Sequence, residues 1–284
     1  MLELIGLIAL IYLAVKFLPG IFSSGVTQIN ILVGTIIASF QASAVSYLYY
    51  ADRIYQINLA IAGIAIGTVI LPNLSRHIKN SNKKKIDFIQ NKAFELSLFL
   101  SLPAAMALVV GAEEITSALF GYGAFDKTSV INSANALYYF ALGLPAFAII
   151  KVFSTFLFAR NDTKTPFYYS LISVLINISI SIIFFDTIGF LIIPIATSIS
   201  SWINVLLLFL KLFNNNHFSL SNVFNLFNLK ILLVSSISIY LFYIAINFFG
   251  QYLIYESEVK LFTIILIIII TIIIYILISL LTKT

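Results

Sequence analysis

Apolar residues occur along this chain in long runs that are separated by short polar segments. A helix rises 1.5 Å per residue, so about 20 apolar residues are needed to cross a bilayer core. Eight runs meet this requirement: residues 19–40, 52–71, 93–111, 136–159, 167–185, 188–210, 230–248 and 261–281. The pattern predicts an all-α, polytopic transmembrane helix bundle of about eight spans.

A shorter apolar segment, residues 1–15, precedes Lys16 and Pro19. We expect it to be a ninth crossing or one arm of a first helix that bends at Pro19, because proline interrupts helical hydrogen bonding. The longest segments between spans, residues 73–91 and 112–135, are predicted to be loops, with Glu113 and Glu114 at a solvated loop end. Neither segment is long enough to fold a catalytic domain.

Composition supports the membrane interpretation. Hydrophobic residues make up 61% of the 284 residues and charged residues 10%, with a mean hydropathy of +1.07. Soluble domains carry about 25% charged residues, so a soluble enzyme and a nucleic-acid-binding protein are excluded. The chain has no cysteine, and His77 and His217 are isolated from other metal-ligating residues. We therefore expect no metal site and no cofactor.

The distribution of basic residues predicts the orientation. Of the 16 Lys and Arg residues, only Arg53, Lys127 and Lys260 fall on one predicted face, and the others, including Lys83–Lys85, fall on the opposite face. Basic residues collect on the cytoplasmic side of membrane proteins. The net charge of +5 therefore reports topology, with a cytoplasmic C-terminus. The predicted organisation is an N-terminal apolar segment (1–18), a six-helix lobe (19–212), a cytoplasmic linker (213–229) and two lipid-facing helices (230–284).

Polar residues recur at helical spacing in four of the first six spans. The stripes are Ser24, Gln28, Thr35 and Ser39; Arg53, Gln56, Ala60, Gly63 and Gly67; Ser170, Ser173, Asn177 and Ser181; and Thr197, Ser200, Ser201 and Asn204. Polar residues within spans face the bundle interior or a water-filled cavity. Small and hydroxyl residues also mediate helix–helix packing, which is the alternative for each stripe. Taken together, the four stripes and a charge favour a hydrated cavity.

Arg53 is the most informative residue. It lies at the outer end of the second span, directly after Asp52, and an arginine within a membrane costs about 2.5–3.5 kcal/mol at a helix centre. One interpretation is a boundary arginine that pairs with Asp52. The other is a cavity arginine that binds an anion, since a guanidinium binds phosphate oxygens bidentately. Lys151, inside the fourth span, is a second candidate, although its side chain is long enough to reach the cytoplasmic interface.

Five sequence segments together resemble the MurJ (MviN) family. They are SGVTQIN at 24–30, IASF at 37–40, VSYLYYADRIYQ at 45–56, GIAIGTVILPNLS at 63–75 and ARNDTKTP at 159–166. The resemblance extends from about residue 19 to the C-terminus. It implies that the chain is the second lobe of a multidrug/oligosaccharidyl-lipid/polysaccharide exporter-type transporter, together with the last two spans. The implied location is the bacterial inner membrane. The N-terminal lobe is then expected as a separate partner or as another part of a longer protein.

The family resemblance also implies a function. Lipid II, an undecaprenyl-diphosphate-linked peptidoglycan precursor, is expected to be moved to the outer leaflet by alternating access during cell-wall biogenesis, with no enzymatic step. By this resemblance Arg53 contacts the diphosphate, and the cavity-lining candidates are Asp52, Gln28, Gln56, Asn177, Thr197 and Lys151. The last two spans are expected to form a groove for the lipid tail, and surrounding membrane lipids are the other partners.

Some relatives bind sodium, and Asn177 and Thr197 match that pattern. Gly34 and Ser181 stand where those relatives carry carboxylates, so sodium binding is not expected here. Two alternatives stay open at this stage. In the first, the chain is half of another polysaccharide or drug exporter of the same superfamily. In the second, it is a membrane fragment that does not transport.

Overall fold

The computed structural model describes residues 28–283, without the side chains of residues 61–69. The segment 1–18 and Ser24 lie outside the described residues, and the predictions made for them are untested. Every regular element in the described range is helical. In chain order the helices are α1 (Gln28–Ala38), α2 (Ala44–Lys79), α3 (Lys83–Val110), α4 (Ala112–Phe120), α5 (Lys127–Phe158), α6 (Lys164–Ile188), a 3-10 turn (Gly189–Leu191), α7 (Ile192–Asn214), α8 (Leu220–Val223), α9 (Leu226–Phe248), α10 (Gly250–Leu253) and α11 (Lys260–Thr282).

The predicted spans from 52–71 onward fall on helices α2, α3, α5, α6, α7, α9 and α11, and the described part of the first predicted span contains α1. Five segments of the described chain are long and apolar enough to cross a membrane, and one of them, Lys164–Asn214, contains both α6 and α7. The all-α, multi-pass membrane architecture is therefore confirmed. The division of the chain into a lobe and two further helices stays a prediction, although α9 begins at Leu226, inside the segment expected to be a linker.

The predicted loop at 73–91 is wrong. Helix α2 continues through Pro72 to Lys79, and α3 begins at Lys83, so only three residues separate the two helices. Ser81 in this turn has a φ of 51°, and the Asn82 side chain caps α3 by accepting a hydrogen bond from Lys85 N at 3.2 Å. A fall in hydropathy marks where a helix leaves the membrane and not where the helix ends. Because lysine and arginine are good helix formers, α2 and α3 both continue beyond their apolar stretches.

The predicted loop at 112–135 is also wrong. It contains α4, which buries Ile115, Thr116 and Ala118, and only residues 121–126 are non-helical before α5. Asp126 caps α5 by accepting from Ser129 N at 2.8 Å. Glu113 and Glu114 lie in the first turn of α4, where the helix dipole favours negative charge, and not at a loop end.

Helix α5 lies at the centre of the bundle. Of its apolar 18-residue stretch, 72% is buried, whereas the corresponding share for α11 is 22%. Helix α5 packs against α2, α3 and α7. Contact with α7 is close at Gly143, where an added Cβ would lie 2.7 Å from Ser198 Oγ. Ser198 Oγ donates to Tyr139 O, and Trp202 Nε1 donates to Leu142 O at 3.0 Å. Glycine and serine at this contact allow the two backbones to approach.

One end of the bundle is held by polar contacts between elements distant in sequence. Gln90 is buried, and its amide is satisfied in the orientation that donates to His217 O at 3.0 Å and accepts from Arg160 Nη1 at 3.3 Å. Lys230 Nζ donates to Thr282 O at 2.9 Å. The first contacts bring together the start of α3, the α5–α6 turn and the end of α7, and the last one joins the start of α9 to the end of α11. The predicted orientation in the membrane stays a prediction.

At the opposite end, Gln41 and Lys260 connect separate elements. Gln41 Oε1 accepts from Phe190 N at 2.9 Å, which joins the α1–α2 connection to the α6–α7 turn. Lys260 is 1% exposed, and its Nζ donates to Gly121 O at 2.7 Å and Tyr255 O at 2.6 Å. The ammonium also lies 4.4 Å from the ring centroid of Tyr122. A buried charge needs partners, and carbonyls and aromatic faces supply them here.

Replacing Lys260 by methionine should destabilise the chain. Two carbonyl acceptors lose a charged donor, and each hydrogen bond to a charged group contributes about 1.5–3 kcal/mol. We expect the apparent unfolding temperature in detergent to fall by roughly 5–10 °C. Lys283→Met, at the exposed end of the same helix, is the matched control and should leave the unfolding temperature unchanged. Equal unfolding temperatures for the two variants would contradict the structural role of Lys260.

Candidate functional site

One face of α2 is fixed against α5 by aromatic packing. Ala51, Ile54 and Tyr55 are buried, and the Tyr55 ring lies 5.6 Å from Phe140 and 5.7 Å from Phe147 between ring centroids. These residues recur at the three- and four-residue spacing of a single helix face. The packing of this face determines which residues of α2 remain on the exposed side.

The exposed side of α2 carries Tyr49, Arg53 and Gln56, one helical turn apart. Arg53 Cζ lies 4.6 Å from the centroid of the Tyr49 ring, within the range of a cation–π contact. The carboxylate of Asp52 accepts a hydrogen bond from Gln56 Nε2. Within residues 28–283, no carboxylate lies at ion-pair distance from the Arg53 guanidinium. The Arg53 charge still interacts electrostatically with the neighbouring Asp52 carboxyl, and both interpretations of Arg53, the boundary arginine and the anion-binding arginine, stay predictions.

Helix α1 presents a second polar set. Gln28, Thr35 and Ser39 are exposed, and the two hydroxyls donate to backbone oxygens within α1, Thr35 to Ile31 O at 2.8 Å and Ser39 to Ile36 O at 2.7 Å. Such bonds satisfy a hydroxyl without a partner on another helix. The amide of Gln28 is the polar group at the start of the described α1.

The polar stripes of α6 and α7 face each other. Ser173 Oγ donates to Ser200 O at 2.7 Å, and Asn177 Nδ2 donates to Thr197 Oγ1 at 2.9 Å. Ser181 Oγ donates to Asn177 Oδ1 at 3.3 Å. Asn177 and Thr197 are thus brought together, as part of the α6–α7 contact and not of the exposed face of α2. Helix packing, the alternative considered for these stripes, accounts for their hydrogen bonds.

Lys151 is exposed on α5, one helical turn after Phe147. Because residues four apart share a helix face, Lys151 lies on the side of α5 that contacts Tyr55 of α2. Lys151 therefore adds a second cation on this side of α5, closer than Phe147 to the end of the bundle that carries Lys83–Lys85. Gly63 and Gly67, the other members of the α2 stripe, fall in the range 61–69, whose surroundings are not described.

Among the described residues, two cavities between helices were not predicted from the sequence. One, of about 260 Å³, is apolar and is lined by α3, α5 and Ile239 of α9, including Ala105, Met106 and Pro145. The other, of about 330 Å³, is polar and is lined by α4, the start of α5 and residues 246–256, including Glu114. Each cavity needs three or more elements that meet only in the tertiary structure, so no local pattern marks it.

Comparison with known proteins places this arrangement in a family. The family model described as "Lipid II flippase MurJ" matches residues 10–264. A probable lipid II flippase MurJ of Rhizobium meliloti is 43% identical over 205 residues, which cover 72% of this chain and 38% of that protein. A probable lipid II flippase MurJ of Rickettsia prowazekii is 34% identical over 238 residues, covering 84% of this chain and 47% of that protein.

Solved structures give the same assignment at the level of the fold. A lipid II flippase MurJ in an inward closed conformation superposes with a TM-score of 0.76 at 28% identity, over 94% of this chain and 53% of that chain. An outward-facing multidrug resistance MATE family transporter of the MOP superfamily has a TM-score of 0.63 at 19% identity, over 84% of this chain and 54% of that chain. The latter likeness shows the fold alone.

The chain spans about half the length of these proteins or less. Within that span, the match of the family model covers nearly all of the described helices, and the arrangement of α1 to α11 follows that of a solved family member. The chain is a multi-pass membrane protein and belongs to the MurJ family of lipid II flippases.

Proposed function

We propose that this chain forms one half of a lipid II flippase, with Arg53 as the residue that binds the diphosphate of the lipid-linked precursor. The observation that carries the proposal is the exposed face of α2, where the Arg53 guanidinium stacks on Tyr49 and no carboxylate of the described chain lies at ion-pair distance from it. Family membership supplies the substrate class. The arginine supplies a reason why a diphosphate is retained at this face.

The physical argument rests on the cost of moving charge through hydrocarbon. A diphosphate carries about two negative charges, and transfer of an unpaired ion into a low-dielectric medium costs tens of kcal/mol by Born solvation. A hydrated groove with a fixed guanidinium lowers this cost because water and the cation replace the lost hydration. No covalent bond is made or broken, so we propose a transporter without enzymatic activity.

The other predicted site residues have different roles in this proposal. Gln28 and Gln56 line the groove beside Arg53, and Asp52 holds Gln56 by accepting its amide hydrogen bond. Lys151 continues the positive potential along α5. Asn177 and Thr197 fasten α6 to α7 in the present arrangement, so they line a cavity only in a state in which these two helices separate.

The apolar elements supply the complementary part of the site. Helices α9 and α11 pack on each other, and α9 also packs against α3, beside the apolar cavity of about 260 Å³. We propose that this side accommodates the polyprenyl tail while the head group moves through the polar groove. A second lobe, in the same polypeptide or supplied separately, closes the groove over the exposed faces of α1 and α2.

The proposed orientation follows the basic residues. The α2–α3 turn with Lys83–Lys85 and the C-terminus are cytoplasmic, and α4, the start of α5 and the α6–α7 turn face outward in the bacterial inner membrane. In this orientation Arg53 lies toward the outer end of the groove and Lys151 toward its cytoplasmic end.

A rescue experiment tests the function. A bacterium depleted of its lipid II flippase is supplied with this chain, alone and together with the N-terminal lobe of a relative. We expect growth to be restored with the added lobe and to be lost again in Arg53→Ala. A hydrogen bond to a charged group contributes about 1.5–3 kcal/mol. Its loss should therefore weaken lipid II binding by the variant at least roughly tenfold.

Arg76→Ala, an exposed arginine at the opposite end of α2, serves as the control and should support growth. Normal flipping by Arg53→Ala, or failure of inserted chain and lobe to rescue growth, contradicts the proposal. Binding of other polyprenyl-linked sugars in preference to lipid II would instead assign the chain to another exporter of the superfamily.

Cysteine labelling tests whether the exposed face of α2 is hydrated. The natural chain has no cysteine, so each introduced thiol is unique. Tyr49→Cys, Arg53→Cys and Gln56→Cys should react with a charged thiol reagent, because only an ionised thiol in water reacts rapidly. Ile183→Cys is the control: Ile183 is 68% exposed on α6 but is proposed to face lipid. Equal labelling at 53 and 183 excludes a hydrated groove confined to α2.

The same approach tests orientation. Ser81, in the α2–α3 turn, and Thr128, at the start of α5, are both exposed. An impermeant reagent added to intact spheroplasts should label Thr128→Cys and leave Ser81→Cys unmodified until the membrane is opened. The reverse pattern would invert the proposed topology.

A further inference from the structure

The first three turns of α3 carry a basic face that the proposed transport function does not use. Lys84, Lys85, Phe88 and Lys92 are exposed and recur at the three- and four-residue spacing of one helix face. Gln90 is buried and lies on the opposite face of the same turns. Because Gln90 points into the bundle, the four exposed residues point away from it.

The lysines of this face are only partly neutralised by the chain itself. Lys92 Nζ pairs with Glu95 Oε2 at 2.8 Å, whereas no carboxylate of the described chain lies at ion-pair distance from Lys84 or Lys85. Residues 83–95 contain four lysines and two acidic residues, a net charge of +2. The face therefore presents positive charge that an anion from outside the chain can balance.

The junction between α8 and α9 packs against the same face of α3, one turn deeper. Asn225 Nδ2 donates to Glu95 Oε1 at 3.4 Å. The Lys92 ammonium lies 4.6 Å from the centroid of the Phe227 ring, within the range of a cation–π contact. Two contacts between elements 130 residues apart thus place the α8–α9 junction directly beneath the free lysines.

Exposed apolar side chains place this surface at the level of the lipid head groups. Phe88, Phe224 and Leu226 are 63%, 74% and 71% exposed. Phe88 lies five residues, about 7.5 Å at 1.5 Å per residue, before the apolar run that begins at residue 93. The head-group region adds about 5–8 Å on each side of the hydrocarbon core, and aromatic residues collect there. At this level the apolar side chains contact acyl chains, while lysine side chains reach the phosphates.

The net charge of a lipid decides whether it suits this surface. Basic residues beside a membrane attract anionic lipids. A zwitterionic head group has a phosphate as well, but it also carries an ammonium that lysines repel. Membrane topology alone accounts for lysines at this end of the bundle. It does not account for the exposed Phe88 one turn from Lys84, or for the apolar α8–α9 junction held beneath both.

We propose that Lys84, Lys85 and Phe88, together with the α8–α9 junction, bind an anionic phospholipid. The lipid phosphate lies at the two lysines, and the acyl chains pack against Phe88, Phe224 and Leu226. Because the lipid contacts both α3 and the junction, it holds the start of α9 against the core. The inference does not depend on the proposed transport function.

Native mass spectrometry of the purified full chain tests the surface. The chain is equilibrated with equal amounts of phosphatidylglycerol and phosphatidylcholine, and the retained lipid is identified. We expect selective retention of phosphatidylglycerol that weakens as salt is raised. Lys84→Gln and Lys85→Gln should each reduce the selectivity about fivefold, the effect of one basic residue near an anionic surface. Lys164→Gln, which removes an equal charge at the start of α6, is the matched control and should retain the selectivity.

Cross-linking tests whether the lipid lies at the α8–α9 junction. A phosphatidylglycerol with a photoactivatable group in its acyl chain should attach to the peptide that contains residues 224–226. The yield should fall in the Lys84→Gln/Lys85→Gln double variant. Both lysines are exposed, so the unfolding temperature of this variant in phosphatidylcholine should equal that of the unmodified chain.

Four results would overturn the proposal. Two are equal retention of both lipids and an equal loss of selectivity in Lys164→Gln, since either would show that no particular face is involved. Preferential retention of a polyprenyl diphosphate at the same lysines would assign the surface to the transported substrate. Binding of polyglutamate that depends on Lys84 and Lys85, without lipid selectivity, would assign it to an acidic protein partner.

Discussion

The packing of Tyr55 between Phe140 and Phe147 determines the orientation of α2. Because α5 is buried on most of its surface, α2 cannot rotate without displacing aromatic rings from the central core. The exposed side of α2 is therefore a consequence of its buried side, and Arg53 projects from the bundle because Ile54 and Tyr55 pack inward. The candidate site depends on this contact more than on any interaction of Arg53 itself.

Two cations of the described chain, Lys260 and Arg53, have opposite environments. Lys260 is buried, and its charge is satisfied by two carbonyls and aromatic faces. Arg53 is exposed and stacks on one ring, and no carboxylate of the described chain lies at ion-pair distance from it. A buried charge with fixed partners stabilises a connection between elements, whereas a charge with free donors can bind a ligand. The two residues are equally basic in the sequence, and only their surroundings separate a structural role from a proposed binding role.

The helices that surround α5 differ in the polarity of their exposed surfaces. Exposed residues of α11 are largely isoleucine, leucine and phenylalanine, whereas α1 and α2 expose Gln28, Arg53 and Gln56. An unpaired charge is costly in hydrocarbon, so the polar side is the one that a second lobe or water must cover. The likeness to one half of a solved lipid II flippase is consistent with this division. The described chain thus exposes an almost wholly apolar surface on α11 and polar side chains on α1 and α2.

The sequence by itself determined the all-α membrane class, the positions of the spans in the described chain and the family, because hydropathy and local motifs are one-dimensional properties. It did not determine where helices end outside the membrane, and the predicted loops at 73–91 and 112–135 proved largely helical. It also left open whether the stripes of α6 and α7 line a cavity or pack together. Asn177 and Thr197 meet across that contact, and Glu114 and Ser117 meet residues of α9 and α10 around one cavity. Only the tertiary structure decided these points, because the partner of a polar side chain lies on another helix and helical periodicity does not specify which helix that is.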